Sequence, residues 1–299
     1  MDRRADVLAY VALAWIWGLS FLLLLKVVEA FGWIGAVSFR AFVASGLLLI
    51  IARTSRRTLH FRGRWRHLAM VGATTVAAQL IGLSYSTPRI GTAMAAIIVG
   101  AIPLFSMVIG QLWGLEQITS TGRVGLMLGF LGIVLLVGFP AVEVTTAFMI
   151  GCAASIGSAI AAAIGSNYAR AYLRDVGSWE QTIGAFFIGG LIALPFLFFV
   201  PMPRMPMVSD LIYLLALAGF CSALAYVLYF RLVADLGATT AISVEFLVTV
   251  IAVAVGALVL NEELSVAQLV GGATIIIGCA LVLGFGLTRR RRSTSALRS

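Results

Sequence analysis

Residues 91–138, GTAMAAIIVGAIPLFSMVIGQLWGLEQITSTGRVGLMLGFLGIVLLVG, return 146 positions later as residues 237–284, GATTAISVEFLVTVIAVAVGALVLNEELSVAQLVGGATIIIGCALVLG. Ten pairs are identical across these 48 positions without a gap. Gly91, Gly110, Gly125, Gly132 and Gly138 meet Gly237, Gly256, Gly271, Gly278 and Gly284, and Glu116 meets Glu262. Apolar composition produces some of the matches, but not a shared Glu together with five shared glycines. The chain is a duplication.

What the repeat contains follows from composition. Of 299 residues, 61% are hydrophobic and 11% charged, with mean hydropathy +1.06. A soluble chain carries about 25% charged residues, so this one cannot cover a water-facing surface. Soluble enzymes, soluble binding modules and disordered proteins are excluded. A spanning helix needs about 20 apolar residues. Ten segments meet or approach this: Val7–Leu25, Ile34–Ala52, Leu68–Ser86, Gly91–Gly114, Val124–Phe139, Ala147–Ala169, Glu180–Val200, Leu211–Phe230, Ala238–Leu260 and Val266–Leu287. Pro140 follows the fifth, and Pro201-Met-Pro203 the seventh. Arg3 and Arg4 before the first give it a signal-peptide look, but its length and the lack of a small-residue cleavage site mark it as a retained span. Linkers mostly under ten residues leave no room for a soluble domain.

Each repeat therefore holds five spans, residues 1–142 and 143–299. Five is odd, so the second repeat starts from the opposite side. The expected fold is an all-α polytopic membrane protein of ten transmembrane helices, built as two inverted-topology five-helix repeats. Two similar packings of opposite orientation can exchange inward-open for outward-open states, which points to alternating-access transport. The basic residues set the orientation. With the N-terminus inside, 17 of the 21 Lys and Arg fall on the inner side, only Lys26, Arg89 and Arg204 on the outer side, and Arg40 within a span. Both termini then face the cytoplasm. The net charge of +9 is matched to the anionic leaflet of the bilayer rather than to nucleic acid, for which such short loops hold no readout module.

Several chemistries are missing. The one Lys, Lys26, lacks a preceding Gly, so there is no P-loop. His60 and His67 lie in or beside the first inner loop, and all Asp residues sit at span ends or in loops, so neither a metal site nor a hydrolytic site is expected. No enzyme activity and no cofactor are expected. Cys152, Cys221 and Cys279 read as small core-filling thiols.

Polar residues within spans face the bundle interior or a wet cavity. Helical spacing gathers Trp17 and Ser20 on the first span, Gln79 on the third, Ser158 on the sixth, Tyr226 and Tyr229 on the eighth, and Glu245 and Thr249 on the ninth. Small residues on these stripes also fit helix–helix packing, as do Gly110-x-x-x-Gly114 and Gly125-x-x-x-Gly129. Trp17, Gln79, Tyr226 and Tyr229 suit a pocket for a flat or amphipathic solute, where an amine could stack on the rings. Pro103, mid-span, removes a backbone bond and gives either a kink or a hinge with an exposed carbonyl. Arg40 and Glu245 are the two charges placed within spans, and their depths differ by roughly 9 Å at 1.5 Å per residue, which disfavours direct pairing. Glu245 aligns with Val99, so one half carries a carboxyl that the other lacks. Glu116 and Glu262 read as caps of the helices that follow them.

These residues resemble the EamA-type branch of the drug/metabolite transporter superfamily, and within it the bacterial inner-membrane aromatic amino-acid exporters. The family's first-helix Trp-Gly is similar to Trp17-Gly18, followed by Lys26. Its second-helix Arg-aromatic motif resembles Arg40 with Phe39 and Phe42, and its Tyr–small–Pro pattern resembles Tyr85, Gly91 to Ala96 and Pro103. Its Gly/Asn-Glu resembles Gly114-Leu115-Glu116 and Asn261-Glu262, with Leu115 as an insertion. The repeat partner of Pro103 is Thr249 rather than a second proline. The resemblance implies a secondary transporter exporting small metabolites, amino acids of aromatic or hydrophobic kind above all, from a multi-pass position in the bacterial inner membrane. Tyr85 and Pro103 complete the candidate solute site. The expected partners are the solute and the lipid bilayer, with a second copy of the chain allowed. A passive channel, or an exporter of another small amphipathic solute, is the alternative reading.

Overall fold

In lipid the backbone must satisfy its own hydrogen bonds, and long apolar stretches do so as helices. The computed structural model describes residues 3–115, 118–139, 143–236 and 241–282. Glu116, Pro140, the junction at Val142, Gly237, Gly284 and Arg289–Arg292 lie outside the described residues. Among the described residues every regular element is helical. α1 spans Arg3–Thr54, α2 Trp65–Ile90, α3 Thr92–Leu112 and α4 Ser120–Gly138. α5 spans Thr146–Tyr172, α6 Ser178–Phe198, α7 Val208–Val233, α8 Val244–Val259 and α9 Val266–Val282. Seven of these are long and apolar enough to cross a membrane; α8 and α9 are shorter apolar helices.

α1 holds the first two expected spans. They are not separated by a loop: only Gly32 leaves the helical region, at φ 71° and ψ 168°. A residue with a Cβ is strained at such a φ, and glycine is not. The two arms fold back on each other there. Leu24 and Arg40, 16 residues apart, line one cavity, whereas on a straight helix they would be separated by about 24 Å at 1.5 Å per residue. A Cβ on Gly32 would lie 3.4 Å from the Pro203 ring, so the α6–α7 connection seats on this turn. With both arms counted, the described residues make ten helical passes.

The inversion is visible in the α4–α9 contact. A Cβ on Gly125 would lie 2.5 Å from Gly278 O, and one on Gly132 would lie 2.7 Å from Gly271 O. Gly125 and Gly271 are repeat equivalents, as are Gly132 and Gly278. Gly125 thus meets the equivalent of Gly132, and Gly132 the equivalent of Gly125, with sequence running in opposite senses, as a pseudo-twofold axis across the pair requires. The backbones touch because no side chain intervenes. A second signature lies in α2 and α7. Each contains a π-helical stretch, Gly72–Ala78 and Gly219–Leu224, starting within one residue of the repeat offset.

Glu262 departs from the expected role. Its carboxylate accepts from Thr92 N at 2.7 Å and Ala93 N at 2.8 Å, so it caps α3 across the repeat boundary instead of the helix that follows it. The α2–α3 break at Gly91 (φ 85°) leaves room for that carboxylate. At the Arg-rich end, the α1–α2 loop is fastened to the α5–α6 loop and the first turn of α6. His60 N donates to Glu180 at 3.0 Å, Arg57 lies 4.8 Å over the Trp179 ring, and Arg64 meets Asp175 at 3.2 Å. Outward-facing Leu8, Met127, Phe198 and Leu258 are each at least 70% exposed, an apolar girdle suited to lipid rather than water.

Candidate functional site

The site begins with the Trp17-Gly18 pair. A Cβ on Gly18 would lie 2.5 Å from Ile251 Cγ2, so glycine brings α8 against the first arm of α1. That approach aims the neighbouring Trp17 into the bundle, where its Nε1 donates to Cys221 O at 3.2 Å. Cys221 lies in the π-helical stretch of α7. A widened turn of this kind disturbs the regular i→i−4 ladder and recurs at functional sites. The same carbonyl accepts from Arg40 Nη2 at 3.3 Å, and Arg40 Nε donates to Ser222 Oγ. Arg40, 4% exposed, is therefore held by one helical irregularity.

Two chambers meet at the centre and share Trp17, Gln79, Tyr226 and Glu245. The larger, about 50 Å³, adds Ser20 and Arg40, with Phe21, Leu24, Leu83 and Val248 as apolar wall. The smaller, about 20 Å³, adds Thr75, Ser166 and Tyr229. The Trp17 ring lies 5.4 Å from both Tyr226 and Tyr229, and Tyr229 OH donates to Ser166 Oγ at 3.2 Å. One turn beyond Ser166 and Tyr229, the same helices line an open vestibule of about 760 Å³ at the Arg-rich end, with Arg62, Arg170, Arg174 and Arg231 at its rim.

Glu245 borders both chambers and is 8% exposed. Its carboxylate makes no ion pair or hydrogen bond among the described residues. Arg40 lines the same chamber but does not pair with it, as the difference in depth suggested. An ionised carboxylate in such a place costs several kcal/mol unless water or a cation meets it. Val99, its repeat equivalent, lines the same chamber, so the twofold relation brings a Val and a Glu to one cavity. Val99 also lacks the usual i+4 N–H donor for its carbonyl, because residue 103 is proline.

Six of the ten expected site residues line these chambers: Trp17, Ser20, Gln79, Tyr226, Tyr229 and Glu245. The other four do not line them. Thr249 Oγ1 donates to Ala96 O at 3.1 Å and seats against Gly100, where α3 breaks between Val99 and Ile102. Pro103 falls in the first turn of the restarted helix, a position that tolerates proline. Ser158 Oγ donates to Gln79 O at 2.8 Å, joining α5 to α2. Tyr85 packs on Trp33 at 5.1 Å and under Arg89 at 3.7 Å. The small apolar lining residues Val248 and Ile102 carried no sequence signal, because any buried helix offers such residues. Asn167, which donates to Ser106 at 2.9 Å and to the Ala163 carbonyl at 2.9 Å, lay off the α5 polar stripe and was not anticipated.

Comparison with known proteins agrees with this architecture. The EamA-like transporter family matches twice, over residues 4–138 and 149–284. A protein of Archaeoglobus fulgidus named as an uncharacterized transporter is 23% identical over 273 residues, covering 89% of this chain and 94% of its own. Protein PecM of Dickeya dadantii is 27% identical over 290 residues, covering 94% of this chain and 93% of its own. A crystal structure described only as that of a protein superposes with TM-score 0.66 at 16% identity, covering 94% of this chain and 96% of that one. It shares the fold.

Proposed function

The chain belongs to the EamA-like transporter family, and from that premise we propose that it exports a small metabolite, most directly an amino acid, by alternating access through the central cavity. One observation carries this reading. Two oppositely oriented halves meet around a cavity to which each contributes, Arg40 and Gln79 from the first and Tyr226 and Glu245 from the second. At about 50 Å³ the larger chamber falls below the roughly 300–1,000 Å³ of ordinary ligand pockets. This is a contracted state, and a solute enters only when the halves rock apart. The vestibule at the Arg-rich end is the matching approach; the arginine bias supports a cytoplasmic position for that end, in what we take to be a bacterial inner membrane. Arginines at its rim favour carboxylate-bearing solutes over simple cations.

Counterflow in proteoliposomes tests the proposal. Liposomes holding purified protein and an unlabelled amino acid should take up labelled amino acid transiently above equilibrium, with a rate that saturates. Linear, non-saturating flux without counterflow would mean a passive pore. Absence of flux for every amino acid would remove this substrate class.

A further inference from the structure

We propose that Glu245, with Trp17, Tyr226 and Tyr229, forms a subsite for an organic ammonium group. The proposal rests on the reading of the central cavity as the solute path and specifies what the solute must carry. Four observations lead to it. The Glu245 carboxylate is more than nine-tenths buried, borders both chambers and has no partner among the described residues. Its charge is not demanded by packing, because the repeat-equivalent Val99 fills the corresponding position on the other side of the same chamber. Arg40, the one basic side chain lining that chamber among the described residues, is already engaged by Ser222 and by the Cys221 carbonyl, and it leaves the carboxylate unneutralised. Trp17, Tyr226 and Tyr229 border the same space as the carboxylate, with Trp17 5.4 Å from each tyrosine.

The chemistry selects among cations. A metal ion of the calcium or magnesium type needs about six oxygen ligands. No group of three or more acidic, His or Cys side chains able to hold a metal occurs among the described residues. A single carboxylate beside ring faces suits an alkylammonium. The carboxylate takes the charge and N–H donors, and the rings supply cation–π attraction and cover the adjoining carbons. Phe21, Leu24 and Leu83 continue the chamber as an apolar wall for the remainder of the solute. The expected class is therefore a primary or substituted amine on an apolar body, and amino acids belong to it through their α-ammonium group.

Three probes with a common phenyl ring test this by ligand-induced thermal stabilisation of the purified protein in neutral detergent. Phenethylamine carries the ammonium alone, phenylalanine both charges, and 3-phenylpropionate the carboxylate alone. Phenethylamine and phenylalanine should stabilise the wild type saturably, and 3-phenylpropionate should do so at least tenfold more weakly. Glu245→Gln should weaken both amines by tenfold or more, while Glu245→Asp retains part of the affinity. If Glu245→Gln fails to give a monodisperse, folded preparation, the Glu245→Asp series and the wild-type probe order decide. Equal binding of 3-phenylpropionate and phenethylamine, undiminished amine binding in folded Glu245→Gln, or no phenethylamine binding at millimolar concentration would overturn the subsite. Amino-acid counterflow is measured on the same preparation. Flux without amine selectivity refutes the subsite alone, and no flux refutes the amino-acid reading beneath it.

Discussion

At the scale of single residues, the chain places few charges inside the bundle, and each is informative. Arg40 is held by a carbonyl and a hydroxyl of the α7 π turn, whereas Glu245 faces the cavity. The rings beside it should contribute to solute binding. Trp17→Ala and Tyr226→Ala should each slow counterflow, since losing a ring contact of about 1–2 kcal/mol weakens binding roughly 5- to 30-fold. Wild-type flux in both folded variants would reduce these rings to packing. Glu262 offers a separate test. It satisfies two helix N-terminal amides, of Thr92 and Ala93, from the opposite half. Glu262→Ala should lower stability by about 1–2 kcal/mol, with Glu262→Gln intermediate, read as the thermal midpoint in detergent. An unchanged midpoint for the alanine variant would show that water caps these amides equally well.

At the scale of elements, the α4–α9 contact depends on glycine. A Cβ at Gly132 would lie 2.7 Å from Gly271 O, a backbone atom that cannot rotate away. Gly132→Val should therefore separate the helices and cost about 2 kcal/mol or more. Gly138→Ala on the same helix meets nothing within 4 Å and should be neutral within about 0.5 kcal/mol. Equal midpoints for the two variants would show that the crossing is loose. The loop fastening at the Arg-rich end is pH-dependent. Partial desolvation pushes the Asp175 carboxyl up, but the Arg64 hydrogen bond and the Arg64 and Arg62 charges outweigh it and hold the group below the usual carboxylate range. With a folded value below the unfolded one, the contribution is fully present above pH about 4. It fades as pH falls through the depressed value. The midpoint difference between wild type and Asp175→Asn should stay constant from pH 7 to 5 and shrink below 4. A difference that persists undiminished at pH 2.5 would rule out this linkage.

At the scale of the whole molecule, the duplication sets topology. Reporter fusions after Arg66 and Asp175 should report the cytoplasm, and a fusion after Arg204 the opposite side. Any inversion among the three would break the ten-pass arrangement. Much of this was legible in the sequence, for reasons of period and solvent. Lipid permits only internally bonded helices, so length and hydropathy located the passes, and the identical Gly and Glu pairs revealed the repeat. The odd number of passes per repeat then required inversion. Helical spacing also placed Trp17, Gln79, Tyr226 and Glu245 on inward faces, because mid-span polar groups are expelled from lipid. What spacing could not decide was which inward faces meet. Thr249 and Ser158 share those stripes, yet their atoms are spent on the α3 break and on a helix contact. Glu262 acts across 170 residues of sequence, a distance at which local capping rules say nothing. The merging of two spans at Gly32 turns on one backbone torsion, which composition does not encode. The meeting of Glu245 with Val99 across the axis, leaving one unbalanced carboxylate beside three rings, was settled only by tertiary structure. A one-dimensional pattern fixes the face each residue presents, and only packing in three dimensions fixes what stands opposite it.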